Sequence, residues 1–217
     1  MLSKPLAEML TRMLRQMLIR TFITAFFMLL SVPFAFANGH QDPLLLVQKT
    51  ADKVLSEVLL NKEALDKDPS GIYTLVSGHI THHFDFAQMT SSAMGKYWKR
   101  ASEEQKKSLV SQFRELLIRT YGVALLNYSG QEIVYLPLRT TDDKDRVTVQ
   151  TRVKEANGGP EIPVDYRLIY KEDSWVVYDV VIDGISLVSN YRTSFAGQIR
   201  RQGIDGLIQQ LADQNKG

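Results

Sequence analysis

Apolar residues recur every three or four positions over the first half of the chain, as expected for helices with one buried face. This spacing predicts helices over residues 43–61, 70–80, 86–94 and 102–129. Pro43 suits a first helical position, and Ser102 with Gln105 has the spacing of a capping box. Gly130 follows the longest helix as its expected terminator, while Gly122 within it marks a bend or a close approach of another element.

The second half of the chain alternates between apolar and polar residues, which is typical of strands. We predict strands over residues 132–138, 146–155, 163–171 and 175–183. The turns between them are short, so consecutive strands should pair as an antiparallel meander. Two more helices are predicted over 186–202 and 205–214, separated by Gly203. Runs of helices followed by strands indicate an α+β fold, with helices packed on a twisted four-stranded antiparallel sheet.

The period of two assigns one apolar face to each of the last three strands. These faces comprise Val147, Val149, Val153, Val164, Tyr166, Leu168, Tyr170, Val176, Tyr178, Val180 and Ile182. The helical stripes that would meet them contain Phe113, Leu117, Tyr121, Leu125, Leu187, Tyr191 and Phe195. From this pattern alone, an ordinary closed core is the simpler interpretation, and a pocket for an apolar ligand is the alternative.

The N-terminus has the organisation of an export signal. Four basic residues precede an apolar run over 22–32, and Ala35-Phe36-Ala37 places small residues where a signal peptidase reads them. The apolar run is shorter than the roughly 20 residues of a membrane span. We therefore predict a signal peptide over 1–37, a single domain over 38–217, and a periplasmic location. A retained N-terminal anchor is the alternative.

Charge and cysteine content narrow the classes of function. Four of the 26 basic residues and one of the 24 acidic residues lie in the predicted leader, which leaves 22 basic and 23 acidic groups. A formal net charge of about −1 removes the electrostatic argument for a nucleic-acid partner. The chain has no cysteine, which is compatible with an oxidising compartment.

The sequence gives little support for a metal site. His79 and His83 share a helical face near His82, but no glutamate stands between them as in a zinc-binding H-E-x-x-H motif. A polar helix end is the better interpretation. The acidic residues at 142–145 lack the glycine and the distal glutamate of a calcium loop, so we interpret them as a solvated hairpin turn. We expect no metal and no cofactor.

The sequence gives equally little support for catalytic residues. Ser186 follows Gly184, but Val188 occupies the position where a nucleophile elbow has its second glycine, so Ser186 is better interpreted as a helix N-cap. Asp179 and Asp183 share a strand face and could form a carboxylate pair. The alternative is that they lie away from any cavity or cap a turn.

Four segments, in order, carry a family resemblance. They are FDFAQMTSSAMGKYWKRAS (84–102), EEQKKSLVSQFRELLIRTYG (103–122), YDVVIDGISLVSNYRTSF (178–195) and RQGIDGLIQQL (201–211). Over residues 43–211 the chain resembles the MlaC family, also called toluene-tolerance auxiliary proteins, which are periplasmic phospholipid carriers of Gram-negative bacteria. That family has a cone-shaped α+β fold whose pocket holds acyl chains.

The resemblance implies that the apolar faces described above bind lipid. Except for Val153 and Tyr170, all of those positions are our predicted lipid-binding residues. Arg192 and Arg200 are candidates for the mouth or for docking, and solvated helix faces are the alternative for both. The implied cargo is phospholipid, and the implied role is maintenance of outer-membrane lipid asymmetry without catalysis. The implied partners are an outer-membrane lipoprotein–porin complex and an inner-membrane ABC transporter with a lipid-binding ring subunit. A periplasmic interaction protein with a closed core and a small cone-fold enzyme are the alternatives.

Overall fold

The computed structural model describes residues 42–138, 143–154 and 158–216. The predicted leader and Asp142 lie outside this range. Six α-helices occur in the described chain, with bounds α1 Pro43–Leu60, α2 Lys62–Lys67, α3 Gly71–Ile80, α4 Phe86–Met94, α5 Glu103–Gly122 and α6 Leu187–Gln214. Short 3₁₀ turns cover Thr81–His83, Gly95–Arg100 and Val123–Asn127. No helix in these ranges is both long and apolar enough to cross a membrane.

The strands are β1 Glu132–Tyr135, β2 Arg146–Lys154, β3 Ile162–Lys171, β4 Ser174–Ile182 and β5 Ile185–Ser186. They form one antiparallel sheet in sequence order. The predicted α+β meander is confirmed. The structure adds the two-residue strand β5, which pairs with the end of β4, and the short helix α2, which the apolar spacing did not predict.

Capping residues define the start of α5 as predicted. The Gln105 backbone N–H donates to Ser102 Oγ (3.2 Å), and the Ser102 backbone N–H donates to Gln105 Oε1 (3.0 Å). The predicted end of this helix is wrong, because the α-helix stops at Gly122 and continues as the 3₁₀ turn Val123–Asn127. A Cβ at Gly122 would lie 3.8 Å from Val76 Cγ2, so α3 packs closely at this position.

A β-bulge in β4 overturns one part of the predicted strand pattern. Arg167 pairs with Asp179, whereas the next residue, Leu168, pairs with Val177, so Tyr178 has no partner across the ladder. One extra residue reverses the alternation of side chains beyond it. Val177 therefore shares the face of Val180, and Val176 lies on the opposite face. The prediction that Val176 and Tyr178 continue the face of Val180 and Ile182 is wrong.

The final helix begins and bends where the sequence predicts. Ser186 is its N-cap and accepts a hydrogen bond from the Ser189 backbone N–H (3.1 Å). Gly203 has φ of 73° and ψ of −176°, a conformation that favours glycine and separates two helical halves. The predicted boundary at Gly203 is confirmed.

The buried apolar residues form two clusters. The larger one lies between α4, α5, α6 and the sheet, and it includes Phe113, Leu168 and Phe195. The smaller one, between α1, α2, α3 and α5, consists of Val54, Val58, Leu65, Ile72, Val76 and Ile118. Residues of both clusters border the cavity described below. The fold therefore has two packed regions with open space between them.

Candidate functional site

A cavity of about 520 Å³ lies between the helices α1, α3 and α5 and one face of the sheet. This volume falls within the range of roughly 300–1,000 Å³ that is usual for ligand pockets. Its wall consists of Leu46, Val47, Thr50, Ala51, Val54, Leu55, Val76, Ile80, His83, Phe84, Phe86, Met89, Leu117, Ile118, Tyr121, Gly122, Ala124, Leu125, Asn127, Tyr128, Gln131, Ile133, Val153, Ile162, Val164, Tyr166, Val177, Val180, Ile182 and Leu187.

The sheet contributes side chains in rows that run across the strands. Residues directly opposite each other in neighbouring strands point to the same face. Ile133, Val153 and Ile162 form one such row, and Tyr166 with Val180 belongs to another. The twisted meander therefore brings side chains from four strands to one apolar surface, which α1 covers from above with the residues between Leu46 and Leu55.

The wall of the cavity is almost wholly uncharged. No lysine, arginine, aspartate or glutamate is among the described residues that line it. The polar side chains are Thr50, His83, Tyr121, Asn127, Tyr128, Gln131 and Tyr166. Thr50 Oγ1 is already occupied, since it donates to the Leu46 carbonyl (2.8 Å). Such a surface favours hydrocarbon and disfavours a desolvated ion.

Three titratable side chains of the wall have pKa values shifted in the direction that favours their neutral forms. Burial, with a smaller effect of His82, lowers the pKa of His83 below its ordinary value. Burial, with a smaller effect of Tyr191, raises the pKa of Tyr121 to about 12. Burial also raises the pKa of Tyr166. At neutral pH these side chains therefore add no charge to the cavity.

The rim of the cavity is marked by lining residues that are exposed to solvent. Ala124 and Asn127 belong to the 3₁₀ turn after α5, and Ile162, 38% exposed, begins β3. The opening therefore lies near the 3₁₀ turn and the start of β3. An elongated ligand could place an apolar part inside and a polar part in water at this opening.

Half of the sixteen predicted lipid-binding residues line the cavity. They are Leu117, Tyr121, Leu125, Val164, Tyr166, Val180, Ile182 and Leu187. Phe113, Val149 and Leu168 are fully buried in the larger cluster, and Val147 packs against it. The Phe113 ring makes edge-to-face contacts with Tyr191 and Phe195, with ring centroids 4.9 Å and 5.1 Å apart. These residues hold α5, α6 and the sheet together instead of bordering the main space.

Tyr191 and Phe195 border a separate, smaller cavity of about 230 Å³. It lies between α5 and the two halves of α6, and its wall is more polar, with Thr120, Ser194 and three glutamines of α6. Val176 and Tyr178 line neither cavity, in accord with the bulge in β4. Apolar periodicity therefore identified buried residues, but it did not distinguish residues of the closed core from residues that line the cavity.

The helix α1 contributes the largest group of lining residues that were not predicted from the sequence. Leu46, Val47, Val54 and Leu55 line the cavity, as does Ala51. Their spacing predicted a buried helical face, but it did not indicate what that face covers. His83 also lines the cavity, although the sequence favoured a polar helix end.

The bulge and the turn before α4 place further residues in the wall. Phe84 forms a parallel bridge with Val177, and both line the cavity. Val177 replaces Val176 because of the register shift in β4. Met89 of α4 and Ile133 of β1 also line the cavity.

The candidate catalytic residues have structural roles. Asp179 is 3% exposed and accepts hydrogen bonds from Ser186 Oγ (2.6 Å) and from the Val188 backbone N–H (3.1 Å). Arg167 Nη1 donates to the same carboxylate (3.0 Å). Asp179 thus stabilises the N-terminus of α6, where a negative charge is favourable. Asp183 is exposed in the turn after β4, so the two carboxylates form no pair in the cavity.

The basic and metal-ligating candidates also lie outside the cavity wall, except for His83. Arg192 Nε donates to the Ser92 carbonyl (2.8 Å) and ties α6 to α4, while Arg200 is exposed on α6. Within the described ranges, no group of three or more histidine, cysteine, aspartate or glutamate side chains is placed to hold a metal ion. The rings of His82 and His83 are in contact, with centroids 3.9 Å apart and planes tilted by 52°.

Comparisons with known proteins give one family. The family model described as MlaC protein matches residues 48–213. The chain is 29% identical over 177 residues to the intermembrane phospholipid transport system binding protein MlaC of Haemophilus influenzae, covering 81% of this chain and 83% of that protein. It is 31% identical over 166 residues to the toluene tolerance protein ttg2D of Pseudomonas putida, covering 76% of each.

A solved structure has the same fold. The phospholipid-binding protein of Ralstonia solanacearum, determined in complex with a phospholipid, superposes with a TM-score of 0.74 at 34% sequence identity. The match covers 81% of this chain and 97% of that one. Together with the family match over most of the described residues, this similarity shows that the chain belongs to the MlaC family.

Proposed function

We propose that this protein is a periplasmic carrier that shuttles glycerophospholipids between the outer and inner membranes. The observation that carries the proposal is the cavity of about 520 Å³ with an uncharged, largely apolar wall. The related protein from Ralstonia solanacearum, described above, binds a phospholipid. We place the lipid tails among the lining residues of α1, α5 and the sheet, with Tyr121, Val180 and Leu187 at the centre of the site.

The energetics of burial explain why a protein is needed to carry such a lipid. Burying one methylene group is worth about 0.8 kcal/mol, so a chain of about sixteen carbons gains on the order of 12 kcal/mol in gross terms. A two-chain lipid would therefore leave the cavity into water extremely slowly. Release should occur while the protein is docked on a receptor that offers the tails another apolar path.

The head group should remain at the rim. A phosphate moved into the cavity would lose its hydration, and no lysine or arginine is present among the described lining residues to replace that hydration. Near Ala124, Asn127 and Ile162 the same phosphate can stay in water. The cavity would thus select its cargo by the tails.

The proposed periplasmic location follows from the leader over residues 1–37. The domain over residues 38–217 would function there after the leader is cleaved. Its partners would be an outer-membrane lipoprotein–porin complex and an inner-membrane ABC transporter with a lipid-binding ring subunit. The role that follows is maintenance of the lipid asymmetry of the outer membrane. The names of the curated relatives, which include an intermembrane phospholipid transport system binding protein, support this assignment.

Catalysis is not part of the proposal. An acid–base enzyme would need paired titratable groups inside the cavity. His83 is the only histidine among the described lining residues, which include no carboxylate, and Asp179 is engaged by Ser186, Val188 and Arg167. The relatives that support the assignment are lipid-binding transport proteins.

The test is to express the full chain in a Gram-negative host, purify it from the periplasm, and analyse it by native mass spectrometry and lipid extraction. We expect a mature chain that begins at Asn38 and carries a glycerophospholipid. Tyr121→Asp and Leu187→Asp should abolish lipid retention, because each places a carboxylate in the wall. Ile185→Asp, at a site that is 60% exposed, is the control and should retain lipid.

Three outcomes would contradict the proposal in different ways. A wild-type protein without lipid would favour a closed-core interaction protein. Lipid retained by both wall variants would place the tails elsewhere. A chain held in the inner membrane would show that the leader acts as an anchor.

A further inference from the structure

Three polar residues with unused donor groups lie together at the rim of the cavity. Asn127, Tyr128 and Gln131 all line the cavity and fall within five consecutive positions between α5 and β1. Asn127 is exposed, whereas Tyr128 and Gln131 are half-buried. Within the described part of the chain, their side-chain N–H and O–H groups donate to no other group. A ligand at the rim would therefore meet several hydrogen-bond donors in one place.

The sheet shows that Gln131 lies where the apolar surface ends. Ile133, Val153 and Ile162 form the last row at this end of the sheet that spans three strands, because β3 begins at Ile162. Ile162 is 38% exposed, so this row borders solvent. Gln131 precedes Ile133 by two residues and lines the same cavity just beyond the row. It thus stands at the boundary between hydrocarbon and water.

A hydrogen bond defines the orientation of the Gln131 amide. The Ser129 backbone N–H donates to Gln131 Oε1 (2.9 Å). Because a backbone N–H can only donate, the side-chain atom that it contacts is the carbonyl oxygen, and the other end of the amide is the NH₂ group. The carbonyl oxygen is engaged within the turn, while the NH₂ group has no acceptor in the described ranges. Gln131 therefore offers donors at the rim.

No cation accompanies these donors among the described residues that line the cavity. Lys154, at the end of β2, lies opposite Glu132 in the ladder and pairs with it (3.2 Å). Both residues alternate with Val153 and Ile133, so they point to the other face of the sheet. The rim thus differs from a phosphate site built on lysine or arginine, because its donors are neutral.

Neutral donors suit a phosphodiester that remains partly in water. Phosphodiester oxygens accept hydrogen bonds, and their negative charge makes them stronger acceptors than an ester carbonyl or water. Water at the rim continues to hydrate the phosphate, so its charge needs no buried cation. The same phosphodiester occurs in zwitterionic and in anionic glycerophospholipids. Donors of this kind recognise the phosphodiester without reading the group attached to it.

We propose that the Gln131 amide, with Asn127 and Tyr128 beside it, donates a hydrogen bond to the phosphodiester of the bound lipid. The assignment rests on the proposed function and deepens it, because it makes Gln131 a specificity-determining residue. The protein selects glycerophospholipids over diacylglycerol, and it does not distinguish zwitterionic from anionic head groups. The apolar wall recognises the tails, which all of these lipids share.

The test is a competition among three lipids with identical tails. Delipidated mature protein is equilibrated with liposomes that contain equal amounts of dipalmitoyl phosphatidylethanolamine, dipalmitoyl phosphatidylglycerol and dipalmitoylglycerol, and native mass spectrometry counts each complex. We expect the wild type to bind the two phospholipids equally. In Gln131→Leu the ratio of bound phospholipid to bound diacylglycerol should fall about fivefold relative to the wild type, which corresponds to one net hydrogen bond. Comparing variants on the same liposomes removes the preference of each lipid for the liposome itself.

Gln131→Glu separates the donor from the local fold. Glutamate keeps an oxygen that can accept from the Ser129 N–H, removes the NH₂ group and adds a charge that repels the phosphate. Its ratio should fall at least as far as that of Gln131→Leu, while the melting temperature of the delipidated protein stays at the wild-type value. Gln88→Glu is the matched control, since it adds the same charge at an exposed position of α4 outside the wall and should keep the wild-type ratio.

The outcomes separate this inference from the proposed function. A strong preference of the wild type for phosphatidylglycerol would show that a cation reaches the head group. Gln131 variants that keep the wild-type ratio, or that lose all three lipids equally, would show that the amide does not contact the phosphate. A Gln131→Glu protein that fails to fold would assign the amide to the turn alone. Each of these results overturns the inference and leaves lipid carriage standing, whereas a wild type that binds none of the lipids overturns the proposed function as well.

Discussion

Replacing Val180 by phenylalanine should weaken lipid binding without unfolding the protein, because Val180 borders open space. Val180, Tyr166 and Val149 form one row across three strands and point to the same face of the sheet. Val180 is 8% exposed and lines the cavity, whereas Val149 is 0% exposed and lies in the packed cluster. The same substitution at the two ends of this row therefore meets opposite surroundings.

The expected magnitudes differ accordingly. At Val149 the larger side chain overpacks a closed core, which should cost about 1–3 kcal/mol of stability and lower the melting temperature by roughly 2–12 °C. At Val180 the phenyl ring can enter the cavity, so the stability of the delipidated protein should change little. If the ring displaces about three methylene groups, at about 0.8 kcal/mol each, lipid binding should weaken by about 2.4 kcal/mol, or roughly 50-fold.

Two measurements on the same preparations distinguish these effects. Thermal unfolding of the delipidated proteins reports stability, and native mass spectrometry of each variant mixed with wild type and limiting phospholipid reports relative affinity. Val180→Phe should lose the competition for lipid while keeping its melting temperature. Val149→Phe should show the reverse. Equal lipid binding by Val180→Phe and wild type would refute the reasoning that the tails occupy the space beside this residue.

Three further predictions concern the framework around the cavity. Asp179→Ala should destabilise the protein by about 3 kcal/mol in urea unfolding, because buried donors at the start of α6 lose their acceptor; an unchanged midpoint would contradict the capping role. Gly203→Ala should cost about 1–2 kcal/mol, since φ is 73° there. Gly197→Ala should be neutral or stabilising, because an added Cβ meets only the ends of the Arg201 (3.5 Å) and Arg200 (4.0 Å) side chains. If both glycine variants behave alike, Gly203 does not require its unusual conformation. Burial raises the pKa of Tyr121 from 10.0 to about 12, so the folded chain holds this proton more tightly than the unfolded chain. The contribution of this group to the free energy of unfolding is therefore complete below pH 10 and is lost as the pH rises to about 12. Tyr121→Phe should reduce that alkaline loss in urea unfolding measured at several pH values, and an identical pH profile would contradict it.

Local signals in the sequence predicted the boundaries of several elements correctly. The capping box of Ser102 and Gln105, the N-cap at Ser186 and the break at Gly203 all depend on interactions or backbone angles within a few residues. Such features are independent of the rest of the fold, so they can be identified without it. The predicted extension of α5 to residue 129 is wrong, since the α-helix ends at Gly122 and the chain continues as the 3₁₀ turn Val123–Asn127.

The division of apolar residues between core and cavity could not be predicted in the same way. Phe113 and Leu117 lie one helical turn apart on α5, yet the first packs against Tyr191 and Phe195 while the second borders the cavity. Both have the same periodicity, because burial and the lining of an apolar space demand the same residue types. The difference depends on whether a neighbouring element fills the space opposite.

The order of the helices and strands other than α2 and β5, the antiparallel meander and the uncharged character of the inward faces could all be predicted from the amino-acid sequence. These follow from side-chain periodicity and from turn and capping residues, which act over short distances. Three features required the folded structure: Val177 takes the place of Val176 on the inner face, α1 covers the sheet, and a space of about 520 Å³ remains between two packed clusters. Each of these features depends on how elements that are distant in sequence pack against one another, and no local pattern of residues encodes that packing.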